Sequence, residues 1–468
     1  MSDNEIPFPL TRTLTLRDLV LFNLVSVISI TSLAAAASTG VSALALLIIG
    51  AVFFFIPLGL AVNKLSASFP EEGGIYSWTK RYLGKSHGFI CGWCYWINNV
   101  LYFPSLLLSI AVISSYSIKG STTSLSYVLP FTLVALWLAT VVNIIGLKRG
   151  KWLHNLGGIG TYVPFIILLV LSVYMLFNQP AANSFALKEW KPHWNNIASL
   201  NLWATIPFAY SGIELSSTLG NEIRNPNRNL PRSIIIAAIM IGLFYIIGSA
   251  GLLYCVPRQN IDVIGGFFQA ITVAVHKLNS HFWWIASFAA ISATLGRLGS
   301  LGAWISGSAR VAMVVGIDNY FPKAFARVHP KWHTPHIAIL VQSVLATIFL
   351  LMAVLGKGTT VETTFFTLLD MSIVLYFIPY TYLFICFILH CLTDTKQRKS
   401  LMKIVLAISG LCGLLITLFA LFVAMIPPLG TNQLQFELKV IGGCILLLLL
   451  GGVFYWRGTN KLIDQPIK

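Results

Sequence analysis

Long apolar stretches recur along the whole chain, and no other feature limits its possible folds as strongly. A helix needs about 20 apolar residues to cross a bilayer. Twelve stretches of roughly this length follow one another, separated by polar joints, at residues 19–38, 41–62, 89–118, 127–147, 157–177, 200–219, 234–255, 282–305, 337–355, 365–389, 404–426 and 440–456. The sequence therefore predicts an all-α polytopic membrane protein with about twelve transmembrane helices.

The composition agrees with this prediction. Of the 468 residues, 56% are apolar and only 10% are charged, whereas a soluble domain has about 25% charged residues. The twelve spans use most of the chain, so two or three soluble enzymatic domains of ordinary size are excluded. We expect that the protein is not an enzyme and that it binds no cofactor.

The distribution of positive charge predicts the orientation in the membrane. The net charge of +16 would suggest a nucleic-acid partner in a soluble protein. With the N-terminus in the cytoplasm, 23 of the 31 lysine and arginine residues fall on the cytoplasmic side, seven fall outside and one lies in a span. The positive-inside rule then predicts a multi-pass protein of the cell (inner) membrane with both termini cytoplasmic. The lipid bilayer explains the charge, and no nucleic acid is expected.

The sixth span carries the clearest signal for a broken helix. In the segment TIPFAYSGIE, Pro207 removes a backbone donor and Gly212 tolerates unusual dihedral angles. Two half-helices would point a positive N-terminus and a negative C-terminus at the gap, which suits a zwitterion such as an amino acid. A simple proline kink is the alternative. Glu214 favours the broken helix, because an ionisable residue in lipid is costly and marks a functional or water-lined position.

The first span gives a weaker signal. Ser26, Ser29, Thr31 and Ser32 lie among valine, isoleucine and leucine, and this stretch contains neither glycine nor proline. Hydroxyl groups can satisfy freed backbone groups, or they can bond back to the preceding turn. A break is therefore less evident here than in the sixth span.

Three stretches resemble the amino acid–polyamine–organocation (APC) superfamily of transporters, and the similarity extends over essentially the whole chain. Phe69–Trp78 (FPEEGGIYSW) is similar to the family's loop after its second span. Phe208–Arg232 is similar to its sixth span and the loop that follows. Gly299–Trp304 (GSLGAW), with residues 308–310 and 329–335, is similar to its eighth span and the loop beyond. The two glutamates before Gly-Gly are nearest to the glutamate/γ-aminobutyrate antiporter branch.

The resemblance implies a LeuT-type fold with a 5+5 inverted repeat. The implied parts are a cytoplasmic N-terminal segment (residues 1–16), a first repeat of spans 1–5 (residues 17–178) and a second repeat of spans 6–10 (residues 196–389). Two further spans (residues 403–456) and a short cytoplasmic tail (residues 457–468) follow. The implied function is secondary active transport of amino acids or related amines by alternating access, as an exchanger or a proton-coupled symporter. The expected partners are a small amino-acid substrate and, for a symporter, protons; the oligomeric state stays open.

The resemblance also implies a substrate site between broken first and sixth spans. The family's glycines are missing from the first span, where a hydroxyl group of Ser29 or Thr31 would substitute. Phe208 and Trp304 match aromatic residues of the family's pathway, with simple bundle packing as the alternative. The predicted substrate-binding residues are Ser29, Ile30, Thr31, Phe208, Ala209, Tyr210, Ser211, Gly212 and Trp304.

Three charged residues within the spans are candidates for coupling or gating, namely Glu214, Arg297 and Asp370. Arg297 would either pair with an anionic substrate or form a structural ion pair, for which Asp370 is one candidate partner. Some relatives that use protons carry a lysine in their fifth span, but residues 152–187 contain no lysine or arginine. Arg297 and the missing glycines suggest an anionic or otherwise unusual substrate.

Two other classes of function remain open, a membrane-embedded enzyme and a transporter-derived substrate sensor. His333 and His336 are spaced like metal ligands at a glance, but solvated loop histidines are the preferred interpretation and no metal site is predicted. Cys91 and Cys94 form a C-x-x-C pair at the start of a membrane helix, where packing is preferred over redox chemistry.

Overall fold

The structure is a computed structural model that describes residues 12–118, 124–192, 201–354, 361–393, 400–427 and 433–463. The expected N-terminal segment (residues 1–16) and tail (residues 457–468) lie partly outside the described residues. The face of the molecule at which the first helix begins is called the N-terminal face below.

The first half of the chain forms eight helices. They are α1 (Leu16–Val27), α2 (Ile30–Ala37), α3 (Ser42–Gly50), α4 (Ile56–Ser68), α5 (Ile75–Leu83), α6 (Lys85–Ser115), α7 (Leu125–Ile145) and α8 (Leu147–Asn178). Helices α1 and α2 are the halves of one span and meet at a bend of 42°. A π-helical turn, Ala51–Phe55, joins α3 to α4 in the second span.

The second half begins with another interrupted span. Its helices are α9 (Asn201–Tyr210), α10 (Pro226–Cys255), α11 (Gly266–Leu278), α12 (Trp284–Ile317), α13 (His336–Val354), α14 (Val361–Thr393), α15 (Ser400–Ala424), α16 (Gln433–Phe436) and α17 (Gly442–Ile463). After α9 the chain passes through Ser211 and Gly212 into a 3-10 helix, Ile213–Glu222.

The order of the predicted spans is confirmed. Ten helical elements of the described chain are long and apolar enough to cross a membrane, and the bent α1–α2 pair makes up to eleven. Helix α9 with its 3-10 continuation occupies the place of the sixth predicted span. Several ends differ from the apolar windows: α12 continues past Ile305 to Ile317, and α17 continues past Trp456 to Ile463. An apolar window marks only the lipid-soluble part of a helix, whereas backbone hydrogen bonds continue into its polar ends.

Helices α6 and α12 lie at the centre of the bundle. Their membrane segments are 94% and 89% buried inside the protein, compared with 28% for α15 and 22% for α17. Helix α12 approaches α8 at two glycines, because a Cβ atom on Gly157 would lie 2.7 Å from the Cα atom of Gly299. Small residues allow such close contact between membrane helices. The two central helices are thus positioned to line an internal site.

Candidate functional site

The first span is interrupted at Ile28 and Ser29, whose backbones are extended. The Ser29 N–H donates to Oη of Tyr245 at 3.0 Å, and this hydroxyl donates to the carbonyl of Val27 at 3.0 Å. The Ser29 side chain caps α2 by accepting a hydrogen bond from the Ser32 N–H at 3.2 Å. The break that was less evident in the sequence is therefore present, and a tyrosine of α10 pairs two of the backbone groups that the break frees.

The sixth span is interrupted at Gly212, which has φ of +116°. Its N–H donates to Oη of Tyr380 at 2.8 Å and to Oε2 of Glu214 at 3.1 Å. A Cβ atom at this position would lie 2.9 Å from the Ser26 carbonyl oxygen and 3.0 Å from the Trp304 ring. Both the dihedral angle and the close approach therefore require glycine. Helix α9 continues through Pro207, so the glycine rather than the proline ends it.

The two breaks are directly bonded to each other. The Ser26 hydroxyl donates to the carbonyl of Gly212 at 3.1 Å, and Nε1 of Trp304 donates to the carbonyl of Ser26 at 3.1 Å. Helix ends from both halves of the chain, together with the central helix α12, therefore meet at one point inside the bundle.

A small cavity lies at this meeting point. Its wall consists of hydroxyl groups, one amide, aromatic rings and small apolar side chains, and it includes no charged residue of the described chain. The lining residues are Ser26, Val27, Ser29, Ser32, Asn98, Tyr102, Phe208, Ala209, Ser211, Trp304 and Tyr376. Hydroxyl and amide groups beside apolar surface are typical of a site for a small polar molecule.

Four of the lining side chains form a closed ring of aromatic contacts. Tyr102 packs on Phe208, Phe208 on Tyr376, Tyr376 on Trp304 and Trp304 on Tyr102. Each pair is edge-to-face with 5.9 Å between ring centroids, which is a favourable arrangement for aromatic quadrupoles. The ring joins α6, α9, α12 and α14 around the cavity.

Five of the nine predicted substrate-binding residues line this cavity, namely Ser29, Phe208, Ala209, Ser211 and Trp304. Sequence reasoning missed the contributions of α6 and α14. A signal for α14 was present, because two tyrosines four residues apart in an apolar span lie on the same helix face. Asn98 in α6 is a similar isolated polar residue.

The other four predicted residues do not line the cavity. Ile30 and Thr31 fall in the first turn of α2, beyond the break, and the Thr31 hydroxyl bonds to the Ser29 hydroxyl at 2.9 Å. Tyr210 faces away, because its hydroxyl donates to the carbonyl of Leu47 at 3.1 Å. Gly212 forms the break itself, and its backbone atoms are bonded to neighbouring side chains.

Glu214 lies beside the cavity wall and is fully buried. Its carboxylate accepts hydrogen bonds from the hydroxyls of Tyr95 at 3.0 Å, Tyr376 at 2.6 Å and Tyr380, and from the Gly212 N–H at 3.1 Å. Tyr376 belongs both to this set and to the aromatic ring. Tyr376 therefore connects Glu214 directly to the cavity wall.

Arg297 and Asp370 are buried but do not pair with each other. Nη2 of Arg297 lies 3.4 Å from Oγ of Ser109 on α6, which is a long hydrogen bond. Asp370 makes no ion pair or hydrogen bond with any side chain in the described ranges. The structural ion pair considered from the sequence is therefore not formed, because Arg297 reaches toward α6 instead.

A buried ion cluster closes the N-terminal face below the cavity. Arg310 of α12 forms ion pairs with Glu222, at the end of the 3-10 helix, and with Glu72, whose Oε1 lies 3.5 Å from its Nε. Oε2 of Glu72 accepts a hydrogen bond from the Asn221 N–H at 2.9 Å. Burial, followed by the charge of Glu222, raises the pKa of Glu72 to about 8.

The segment before α1 also closes the N-terminal face, through backbone hydrogen bonds that are called the seal below. Thr13 and Leu14 donate their N–H groups to the carbonyl of Glu222 at 2.9 and 3.0 Å, and Arg224 donates to the carbonyl of Leu14 at 2.9 Å. Leu14 and Ile223 form a parallel β-bridge. The N-terminal segment and the end of the sixth span therefore close this face together.

Comparisons with known proteins agree with this architecture. A family model described as amino acid permease matches residues 14–450. An uncharacterised transporter of Legionella pneumophila is 28% identical over 97% of this chain and 99% of its own length. A glutamate/gamma-aminobutyrate antiporter of Lactococcus lactis is 24% identical over 90% of this chain and 86% of its own length.

A solved structure supports the fold. The crystal structure of MhsT in complex with L-phenylalanine has a TM-score of 0.66 and 15% sequence identity, covering 87% of this chain and 98% of that one. The interrupted first and sixth spans match the LeuT-type arrangement expected from the sequence. The chain belongs to the amino acid permease family of the APC superfamily, and it is a secondary transporter of amino acids with a LeuT-type fold.

Proposed function

We propose that the cavity between the two breaks binds the amino and carboxylate groups of an amino acid. The observation that carries this proposal is the direct bonding of the two breaks, through Ser26, Gly212 and Trp304, beside that cavity. A substrate held there would touch helix ends from both repeats at once. Its binding would therefore respond to any movement of one repeat against the other.

The helix ends offer complementary charges to a zwitterion. The first N–H groups of α2, on Ile30 and Thr31, have no partner within the helix and face the break at its positive end. They would receive the substrate carboxylate. The C-terminal ends of α1 and α9 carry partial negative charge, and together with the aromatic ring they would receive the ammonium group.

We further infer that the transport mode is exchange. The Lactococcus lactis relative is an antiporter by name, and a serine/threonine exchanger of Bacillus subtilis is 26% identical over 63% of this chain. Exchange predicts that uptake of labelled substrate requires unlabelled substrate inside the vesicle. Proton symport instead predicts uptake into empty vesicles that stops when the proton gradient is dissipated.

The test is counterflow into proteoliposomes with a panel of labelled amino acids and their decarboxylation products. At least one labelled amino acid should enter the vesicles only when unlabelled substrate is present inside them. Trp304→Leu should lower the rate of this exchange about tenfold or more. A tenfold effect corresponds to about 1.4 kcal/mol, which is of the order of one lost indole hydrogen bond and its ring contacts.

The matched control is Trp137→Leu, because Trp137 lies on the exposed surface of α7 with 37% of its area accessible. This variant should retain the parental exchange rate. Equal losses in both variants would assign the effect to general instability. Uptake of no amino acid or amine by a folded protein would contradict the proposed function.

A further inference from the structure

Arg297 lies two helical turns from the aromatic ring. It precedes Trp304 by seven residues on α12, and Ser109 follows Tyr102 by seven residues on α6. Seven residues are about two turns and roughly 10 Å along a helix, so each pair shares one helix face. Trp304 contacts Tyr102, and Arg297 contacts Ser109. The antiparallel helices α6 and α12 therefore carry two stacked layers, one aromatic and one cationic.

The cationic layer lies on the side of the cavity away from the N-terminal face. Helix α6 begins at that face, shortly after Glu72, and Ser109 lies near its other end. A substrate entering from the opposite side would meet the guanidinium before the aromatic ring.

The guanidinium of Arg297 is incompletely satisfied. The residue is 4% exposed, and its Nε is a buried donor without a partner among the described residues. Its only hydrogen bond there is the long one to Ser109. Arg310 on the same helix shows the contrast, because it is equally buried yet bonded to two carboxylates and to Ser306.

A buried cation without an anion is costly in a membrane protein. The cavity wall provides no carboxylate, and the backbone groups at the breaks serve the main-chain ends of an amino acid. Arg297 is the incompletely paired buried cation, among the described residues near the cavity, that could receive an additional negative group on the substrate. Guanidinium and hydroxyl donors side by side also match the two oxygen atoms of a carboxylate.

We propose that Arg297 and Ser109 form a second anion subsite, which selects substrates carrying a carboxylate on the side chain. This inference rests on the proposed amino-acid site at the two breaks. Arg297 is then a specificity-determining residue, and the residues of the breaks bind what all amino acids share.

The experiment compares L-glutamate with L-glutamine, which have nearly the same size but differ by one charge. Their apparent affinities are measured by competition against counterflow in the intact protein. The parental protein should prefer glutamate, and Arg297→Gln should reduce the glutamate-to-glutamine affinity ratio about tenfold or more, as expected when a buried charged hydrogen bond is lost. Arg297→Lys should restore part of the ratio, and Ser109→Ala should lower it less.

Two further variants separate the subsite from general effects. Lys277→Gln removes an exposed cation from α11 and should leave the ratio unchanged. Ser109→Asp supplies a permanent carboxylate to Arg297, so the folded variant should lose its preference for glutamate while it still binds glutamine. This second variant keeps the test valid if Arg297→Gln fails to fold.

An unchanged ratio in both Arg297→Gln and Ser109→Asp would overturn the subsite. A parental preference for glutamine would overturn it as well, without affecting the proposed amino-acid site. A chloride dependence of glutamine binding that disappears in Arg297→Gln would assign the anion to inorganic chloride and overturn the assignment to the substrate. Binding of neither amino acid, nor of any other in the panel, would contradict the proposed function itself.

Discussion

At the scale of single residues, Tyr245 explains how a helix can break without glycine or proline. Its hydroxyl accepts from the Ser29 N–H and donates to the Val27 carbonyl, both at 3.0 Å. Buried backbone groups that lack partners cost about 1–3 kcal/mol each. One phenol therefore removes the penalty from both sides of the break.

We expect Tyr245→Phe to impair transport because it leaves these two backbone groups without their partner. Exchange in proteoliposomes should fall about tenfold or more, the effect of losing about 1.4 kcal/mol or more at the site. Tyr254→Phe is the matched control, since Tyr254 lies on the same helix and bonds to the carbonyl of Gln179 at 2.9 Å. If Tyr245→Phe exchanged substrate at the parental rate, the break in the first span would not depend on the tyrosine hydroxyl.

The break in the sixth span could be predicted because the local sequence itself carries the signal. Gly212 and Glu214 could be singled out because a glycine and an acid in an apolar span are unusual in themselves. Tyr102, Tyr245 and Tyr376 could not be assigned roles, because their function depends on contacts made across the bundle. A tyrosine in a membrane helix has the same local pattern whether it packs against lipid or holds a break.

At the scale of secondary-structure elements, the cluster of Glu72, Glu222 and Arg310 joins three segments that alternating access would separate. Two buried carboxylates share one guanidinium, so the closed cluster favours retention of one proton. The pKa of Glu72 is raised from 4.5 to about 8 in the closed structure. In an open structure that exposes Glu72 to water, its pKa would return toward the ordinary value.

The closed N-terminal face should therefore open more easily as the pH rises. Because the closed state binds the proton more tightly, its stabilisation is complete below pH 4.5, declines as the pH rises, and is lost above about 8. Hydrogen–deuterium exchange of residues 12–18 and 213–224, corrected for intrinsic rates, should show more opening at pH 8 than at pH 6. Glu72→Gln should flatten this dependence.

A suitable control for that measurement is Glu71→Gln, because Glu71 is adjacent but half-exposed and pairs with Arg81 at the surface. This variant should keep the parental pH dependence. If Glu72→Gln keeps it too, another group controls the opening. The sequence did not predict this cluster, since Glu72 and Arg310 lie far apart in the chain and only the fold brings them together.

At the scale of the whole molecule, the order of the spans followed from hydropathy, although ten of the described helical elements, or eleven with the bent α1–α2 pair, pass as membrane spans where twelve were predicted. Twelve apolar stretches predicted the bundle, and the family motifs predicted the repeat arrangement. Helix ends were predicted less well, as α12 shows, because burial inside the protein allows a helix to continue with polar residues such as Ser306 and Arg310. The central position of α6 and α12 also required the structure, since outer and inner spans are similarly apolar.

The distribution of charge predicts the orientation of the whole molecule in the membrane. We expect the N-terminal face to be cytoplasmic because most lysines and arginines lie on that side. Lys188→Cys, in an exposed segment after α8, should react with a membrane-impermeant maleimide on intact cells. Lys323→Cys, exposed after α12, should react only after permeabilisation. The opposite labelling pattern would reverse the orientation.

The pairing of the N-terminal segment with the end of the sixth span has a consequence for biosynthesis. Nε of Arg224 donates to the carbonyl of Arg12 at 3.3 Å across a separation of 212 residues, next to the bridge between Leu14 and Ile223. The N-terminal partner of this pairing is synthesised well before the other, so it stays unpaired until the sixth span has been made. Formation of this seal therefore cannot precede synthesis of the sixth span, and it reports that the N-terminal segment and the end of that span have met.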